Sequence, residues 1–440
     1  MIRQPIKIAT TLQLERSARE AGFETHRLPE SCSSETMGSL QQRTADGPVY
    51  RAFLEKHDID LVLDFNAEAL TLVPASCDPG KMSLTTADLG IPYAALYLDP
   101  VTSTMEQMSW ADRWHLLENN TWIKCIPDLP HAEELKRLGV SNVTHLPMAA
   151  VNEDFDTSPA PKLDTGPPIA FMGHPASSWF RSPQGVLPGQ LLAGLTVAAV
   201  RADMPDLSFH KIYYDLHAFA QPPGPGDDAP TRTSKALDFF NQKFIYNAYL
   251  AVKQRDRFAR FLKLKLGDEF ELIGDYWEAN YGLKHSPRIW DMKVLHERMR
   301  CVPISLNLTK GNFESGLNIR HYEITAFGGF MLTYELAELS DLFAVGKECA
   351  VFHDEHDLLE KIAFYLDHAK ERREIAEAGQ RRTLAEHLYS HRITTLVNLL
   401  HEGGVLPKKP TSTDTQPTTW PKIHVQGVTD APAEAACTTP

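Results

Sequence analysis

Residues Val302–Asp354 read VPISLNLTKGNFESGLNIRHYEITAFGGFMLTYELAELSDLFAVGKECAVFHD. The opening run Val302-Pro303-Ile304-Ser305-Leu306 has the apolar character of a buried strand. A polar loop with glycines follows, from Thr309 to Gly316. Ile319, Tyr322, Glu323 and Ala326 then recur at helical spacing within Asn318–Phe327. Gly328-Gly329 ends that helix, because glycine accepts the left-handed geometry that follows a C-cap. Phe330–Thr333 is a second strand. Strand, glycine loop, helix and strand make a βαβ unit, whose loop lies where parallel sheets bind ligands. A helix N-terminus also carries partial positive charge and free N–H groups, so the loop suits a phosphate.

Working outward, Ile169–His174 is a strand closed by Gly173, and Phe270–Gly274 is another that ends in glycine. Leu187–Ala202 and Phe239–Leu264 read as helices, the second a long one. Gln221–Lys235 is rich in Pro and Gly and reads as a flexible loop or insertion. Leu358, Leu359, Ile362 and Leu366 form one helical stripe, with Asp354 or Asp357 available as its N-cap. Ile375–Asn398 continues as helix.

The N-terminal half has its own alternation. Strands are expected at Pro5–Ala9, Phe23–Leu28, Ile59–Phe65, Tyr93–Leu98, Thr121–Ile126 and Val143–Met148. Helices are expected at Leu12–Glu20, Val49–His57 and Ala132–Leu138, with Ser31–Gly47 as a loop. This pattern predicts a Rossmann-like parallel sheet. Asp156–Pro168 reads as a linker, and no internal repeat of fixed period is present.

The chain has 440 residues, enough for two or three domains, with 23% charged and 43% hydrophobic residues. Its net charge of −13 argues against nucleic acid or an anionic membrane as partner. The six cysteines are widely separated, with no CxxC, so neither zinc nor a disulfide framework is indicated. The 18 histidines include no HExxH motif. The N-terminus has no signal-peptide pattern, and the longest apolar run, Leu191–Val200, is too short to span a bilayer. These features predict a cytoplasmic protein without a transmembrane segment.

The residues from about Phe270 to Arg392 resemble the C-terminal donor domain of the CgeB-like spore-maturation glycosyltransferases, themselves similar to group-one glycosyltransferases of the GT-B fold. The Arg-x-x-Glu step, the Gly-Gly before a strand, the Phe-x-x-Gly-x-Glu turn and the Asp-x-x-x-Leu helix fall in the family's order. The resemblance implies an α/β fold of GT-B type, two Rossmann-like domains facing across a cleft. Residues 1–160 would form the acceptor-side domain and 165–385 the nucleotide-sugar donor domain. Residues 386–403 would be a helix crossing back to the first domain, and 404–440 a disordered tail. Two departures stand out. Thr10-Thr11 replaces the glycine-rich loop that many GT-B enzymes have after the first strand. Ser315, with Glu314 one position off, stands where the larger group has a first glutamate.

The implied activity is transfer of a sugar, hexosyltransferase-like, from a UDP- or GDP-linked donor to an unnamed acceptor, with no cofactor. Cationic residues and a helix N-terminus can stabilise the leaving group, so metal independence is expected. By the resemblance, Glu323 accepts hydrogen bonds from the donor ribose; otherwise it is a solvated helix residue. A carboxylate suits two hydroxyls at once. Arg320 and Lys310 are candidates for the diphosphate, since a guanidinium can hold two phosphate oxygens. Gly311, Asn312, Ser315 and Gly316 can add donors from the loop. Gly173 permits close backbone approach, and His174 beside it could touch phosphate or acceptor. Gly274 precedes Tyr276 and Trp277, either of which could stack on a base or sit in the core. Asp99 is the acid–base candidate of the N-terminal half, needed by an inverting enzyme and dispensable to a retaining one; Asp99-Pro100 is equally readable as a turn. Two other readings stay open: a silent sugar-nucleotide or glycan-binding relative, and a UDP-sugar epimerase.

Overall fold

The computed structural model describes residues 5–30, 40–75, 78–101, 114–152, 155, 166–178, 188–203, 209–215, 226–310 and 313–406. The described residues fall into two compact units. One takes its residues from Met1–Pro127, Ala132–Leu146 and Tyr389–Pro440, the other from Asp128–His131 and Pro147–Leu388. The predicted linker core 156–165, the stretch 221–225 and the tail beyond 406 lie outside the described residues. No helix among the described residues is long and apolar enough to cross a membrane.

The first unit is built on β1 (Lys7–Thr10), β2 (Glu24–Arg27), β3 (Leu61–Phe65), β4 (Leu72–Ala75), β5 (Asp78–Leu84), β6 (Tyr93–Leu96), β7 (Trp122–Ile126) and β8 (Val143–His145). Six of them form one sheet in the order β2-β1-β3-β6-β7-β8, parallel at every pairing. Strands β3, β6 and β7 are buried at every residue. That is what helices on both faces of a parallel sheet require, and why these strands read as largely apolar runs, interrupted only by the buried Asp64 and Lys124. β4 and β5 form a separate antiparallel hairpin, which the pattern of apolar residues does not predict. The helix Tyr389–Glu402 buries Ile393, Leu396, Val397 and Leu400 and packs on the helix Leu12–Glu20.

The second unit carries β9 (Ile169–Met172), β10 (Phe270–Ile273), β11 (Ile304–Asn307), β12 (Met331–Tyr334) and β13 (Ala350–Phe352). Their order is β10-β9-β11-β12-β13, again parallel throughout. Both sheets thus have the doubly wound order of Rossmann-like domains. The core of this unit joins Phe171, Leu272, Leu306 and Leu332 from the strands to Phe258, Leu262, Leu358 and Ile362 from helices on the faces. The Asp354 side chain caps the helix Glu355–Asp367, accepting from the N–H groups of His356 and Asp357 at 2.9 Å each. Gly328, at φ +77°, and Gly329 close the helix Ile319–Ala326 by donating to Thr325 and Ile324.

Three expectations need correction. Residues 229–235 are helix rather than flexible loop. The helix Ala229–Ala251 starts there, capped by the Asp228 carboxylate on Thr231 N–H at 2.8 Å, with Pro230 in its first turn. Proline in the first turn costs no hydrogen bond, so it starts this helix instead of preventing it. Leu40–Ala45 is helical too, inside the expected loop Ser31–Gly47. The expected continuous helix Ile375–Asn398 is two, Ala369–Glu386 and Tyr389–Glu402. The chain breaks at His387, whose carbonyl accepts from Ala150 N–H at 2.9 Å and whose Nε2 lies 2.8 Å from Leu342 O.

Candidate functional site at the carboxyl edge of the second sheet

In the second sheet the chain passes from β9 to β10 on one side, then to β11 on the other. The crevice outside the carboxyl ends of β9 and β11 is therefore the topological switch point, where open parallel sheets bind ligands. Gly173 and His174 follow β9, Gly274 follows β10, and Lys310, Ser315 and Gly316 follow β11 ahead of the helix bearing Arg320 and Glu323. Gly311 and Asn312 lie outside the described residues.

Glu323 is 5% exposed, although a surface role was the alternative for it. Its Oε2 pairs with Arg320 Nη1 at 2.6 Å, one helical turn away. The pair is close but not aligned as a hydrogen bond, and both atoms are buried without a hydrogen-bond partner. His296 stacks on Phe327 at 3.7 Å between ring centres. Burial, helped by the charge of Arg320, pushes the His296 pKa down to about 3, so this imidazole is a neutral wall of the site.

The loop after β11 has a different occupant from the one its sequence suggests. The backbone N–H groups of Glu314, Ser315 and Gly316 converge on Asp128 Oδ1 at 2.9, 2.9 and 2.8 Å. Asp128 is 1% exposed and belongs to the same unit. Burial and the nearby Glu338 carboxylate push its pKa up. The Ser315 hydroxyl donates to Glu338 at 2.5 Å. Glu314 pairs with the buried Lys243 ammonium and accepts from Phe209 N–H at 2.9 Å. The carboxylate one position off the family's first glutamate is thus committed to packing.

At the other side of the crevice the backbone is tightly drawn. Gly274 sits at φ +153°, and a Cβ there would lie 2.5 Å from Gly173 O. Trp277 is core: fully buried, with its indole N–H donating to Gly173 O at 2.9 Å. Tyr276 is 57% exposed and holds a positive φ of 71°, so it is the aromatic presented to solvent. Asp275 N–H donates to His174 Nδ1 at 2.8 Å. That bond puts the proton of a neutral imidazole on Nε2. Burial lowers the pKa of His174, with Asp275 opposing and Arg288 and Arg255 adding to the effect.

Sequence reasoning missed Arg255. It lies in a five-residue π-helical turn, Val252–Asp256, between the helices Ala229–Ala251 and Arg257–Leu266. The side chain is 6% exposed. Its Nε donates to Leu308 O at 2.9 Å and its Nη1 to His174 O at 3.2 Å, so the guanidinium joins the chain just past β11 to the chain just past β9. Helical periodicity gave no signal for it, because a π turn shifts the register of side chains.

In the first unit, Asp99 follows β6 and is partly buried. Its N–H donates to Asn66 Oδ1 at 3.2 Å, and Leu98 N–H donates to the same oxygen at 2.8 Å. Asn66 and Ala67, just past β3, have φ of 50° and 56°. Two consecutive left-handed residues without glycine are strained, a feature that concentrates at ligand sites. Behind them the buried Asp64 carboxyl accepts from Tyr93 OH at 2.9 Å and Ala69 N–H at 2.5 Å. Among the described residues no group of three or more His, Cys, Asp or Glu side chains is arranged to hold a metal ion.

A family model described as "Glycosyl transferase-like" matches residues 254–398, which include Arg255, Arg320 and Glu323. No curated protein sequence matches the chain. Among solved structures, the chain is similar to a sucrose-phosphate synthase from Thermosynechococcus elongatus: 12% identity, 91% of this chain and 99% of that one covered, TM-score 0.46. It is also similar to a glycosyltransferase from Rickettsia africae, at 10% identity, 91% and 99% coverage and TM-score 0.42. A UDP-GlcNAc 2-epimerase from Neisseria meningitidis bound to UDP-GlcNAc matches at 12% identity, 90% and 100% coverage and TM-score 0.36.

Proposed function

We propose that the chain is a glycosyltransferase of GT-B type that moves a sugar from a UDP- or GDP-linked donor to an acceptor, its own cations neutralising the leaving group. The observation that carries this reading is the Arg320–Glu323 pair. Inside the glycosyl transferase-like segment, at the carboxyl edge of a Rossmann-like sheet, a buried carboxylate oxygen and a buried guanidinium nitrogen lack hydrogen bonds. Buried polar atoms are nearly always satisfied, so two orphans on one helix turn suit a ligand that supplies both a donor and an anion. A nucleoside diphosphate does so: its ribose hydroxyls donate to Glu323, and its phosphates accept from Arg320. His174, just past the neighbouring strand β9, is a further donor to the phosphates in this reading. Lys310 and the loop donors at Ser315 and Gly316 serve the same phosphates once Asp128 is displaced. Asp99 acts as base in an inverting version of the reaction.

The test is a panel of nucleotide sugars, assayed for released nucleotide in the presence of chelator. Release of UDP or GDP with transfer or slow hydrolysis supports the reading. Activity that disappears in chelator and returns with Mg²⁺ or Mn²⁺ sinks its metal-free part. Epimer formation favours the epimerase, and binding without turnover favours the silent relative.

A further inference from the structure

We propose that Arg255 is a direct ligand of the donor's diphosphate and supplies a principal share of the positive charge that the leaving group needs. The identity of the anion rests on the nucleotide-sugar reading above; the existence of an anion site rests on the surroundings of Arg255 alone.

The first support is charge balance. Arg255 is buried, yet both groups it donates to are neutral carbonyls, Leu308 O and His174 O. None of the described residues forms an ion pair with it. The neighbouring Asp256 attracts it, but that carboxylate is committed elsewhere: it accepts from Ala176 N–H at 2.6 Å, Ser177 N–H at 3.0 Å and Tyr281 OH at 2.7 Å. The remaining charge acting on Arg255 is Arg320, of the same sign. Burial and that repulsion bring its pKa down to about 10. Asp256 offsets part of the charge without touching the guanidinium, Arg320 opposes it, and only neutral carbonyls contact it, so an arriving anion stabilises this buried cation further.

The second support is placement. The acceptors of Arg255 are the carbonyls just past the two strands that flank the switch point, so its fork is anchored at the spot where parallel sheets hold ligands. A π turn brings it there, and single π turns inside α-helices recur at functional sites. Phe171 backs the guanidinium at 5.3 Å.

The third support is contrast. A cavity of about 460 Å³ opens at the ends of β12 and β13, lined by Arg257, Glu335, His353 and Glu355 among others. Two of its cationic side chains are already matched: Arg257 pairs with Glu355 at 2.5 Å and His353 with Glu335 at 3.0 Å. An anion therefore gains more at Arg255, which has no such ion pair among the described residues. Two fixed guanidinium groups suit a group with two adjacent negative charges, as in a diphosphate.

The test uses the full chain and two probes, inorganic pyrophosphate and UDP, titrated calorimetrically into wild type and Arg255→Gln. Glutamine can still donate to one of the carbonyls but carries no charge. The expected result is pyrophosphate binding weaker by roughly ten-fold or more, because a charge-assisted hydrogen bond is removed, with a shallower dependence on salt. Should Arg255→Gln fail to fold, Arg255→Lys takes its place, and several-fold weaker binding is expected because the ammonium cannot reproduce the fork. Pyrophosphate affinity within about two-fold of wild type in the folded variant overturns the proposal, as does a wild type that binds no pyrophosphate at millimolar concentration. Arginine-dependent pyrophosphate binding in a protein that turns over no nucleotide sugar would remove the transferase reading and leave the anion site standing.

Discussion

Replacing Glu323 with glutamine separates two roles by the sign of the result. Glu323→Gln keeps the shape of the side chain and removes its charge. In the nucleotide reading, Glu323 Oε2 accepts from ribose hydroxyls. Removing one charge-assisted hydrogen bond, about 1.5–3 kcal/mol, should weaken UDP or GDP affinity by roughly ten- to a hundred-fold. The competing role is simple neutralisation of Arg320, 2.6 Å away. In that role the same change frees a cation at the anion site, and nucleotide should bind more tightly. Stability gives a second readout. Breaking a fully buried ion pair costs about 3–5 kcal/mol, but the Arg320 side chain is 25% exposed, so water screens the loss to about 1–2 kcal/mol. The variant should fold with a modestly lower melting temperature. Calorimetric titration of UDP and GDP into wild type, Glu323→Gln, Arg320→Met and the double variant reads the coupling directly. Equal or tighter binding by Glu323→Gln, with a nucleotide that wild type demonstrably binds, refutes the ribose contact and removes the main support for the site.

Other perturbations have equally definite outcomes. Asp128→Ala strands three backbone N–H groups that now share one oxygen and should cost roughly 2–5 kcal/mol in urea denaturation; an unchanged stability would show that water or another group satisfies them freely. Lys243→Met leaves Glu314 charged and buried, since both partners are under 4% exposed, and should cost about 3–5 kcal/mol, whereas a Lys243→Met, Glu314→Gln double variant should recover part of it. Burial pushes the Asp64 pKa from 3.8 to about 8, so the folded protein holds a proton that the unfolded chain releases. Stability of the first unit should therefore decline as pH rises from about 4 to about 8, by at most about 1.4 kcal/mol per pH unit, and Asp64→Asn should flatten that slope. His296 and His321 behave in the opposite sense, burial bringing their pKa values down to about 3 and about 4. Below about pH 6.5 the unfolded chain takes up protons that the fold refuses, so stability should fall with acid, less steeply in His296→Gln.

Much of the fold was legible because parallel sheets leave a plain record in sequence. Strands buried on both faces are mostly apolar, and Leu61–Phe65, Trp122–Ile126 and Ile304–Asn307 are found close to where their composition puts them, even with Asp64, Lys124, Ser305 and Asn307 buried among the apolar residues. Glycines marked the points that tolerate no side chain, as at Gly274 against Gly173. The failures have local causes. Pro230 reads as a breaker until Asp228 is recognised as the cap that makes it the first turn of a helix. The break at His387 is set by hydrogen bonds to Ala150 and Leu342, far away in sequence, and no nearby glycine or proline announces it.

The site was legible only in part, and the division follows the reach of each interaction. Arg320 and Glu323 are one helical turn apart on the element that the glycine loop introduces, so sequence spacing alone pairs them. Arg255 reaches the same edge from 53 residues away, through a carbonyl acceptor that any residue could provide. Asp128 reaches the loop across 187 residues to Ser315, again onto backbone groups. Backbone acceptors and donors carry no side-chain signature, so contacts of this kind leave nothing in the sequence for a motif to capture. The same fact makes them informative once seen. A neutral carbonyl cannot balance the charge of Arg255, and the loop N–H groups that suit a phosphate already hold the Asp128 carboxylate. Ligand binding at this edge must therefore satisfy the first and compete with the second. Asp128→Asn, which keeps an oxygen for the loop but drops the charge, should bind pyrophosphate more tightly than wild type if the loop takes part. Unchanged affinity would confine the anion to the arginines and leave Ser315 and Gly316 as structure.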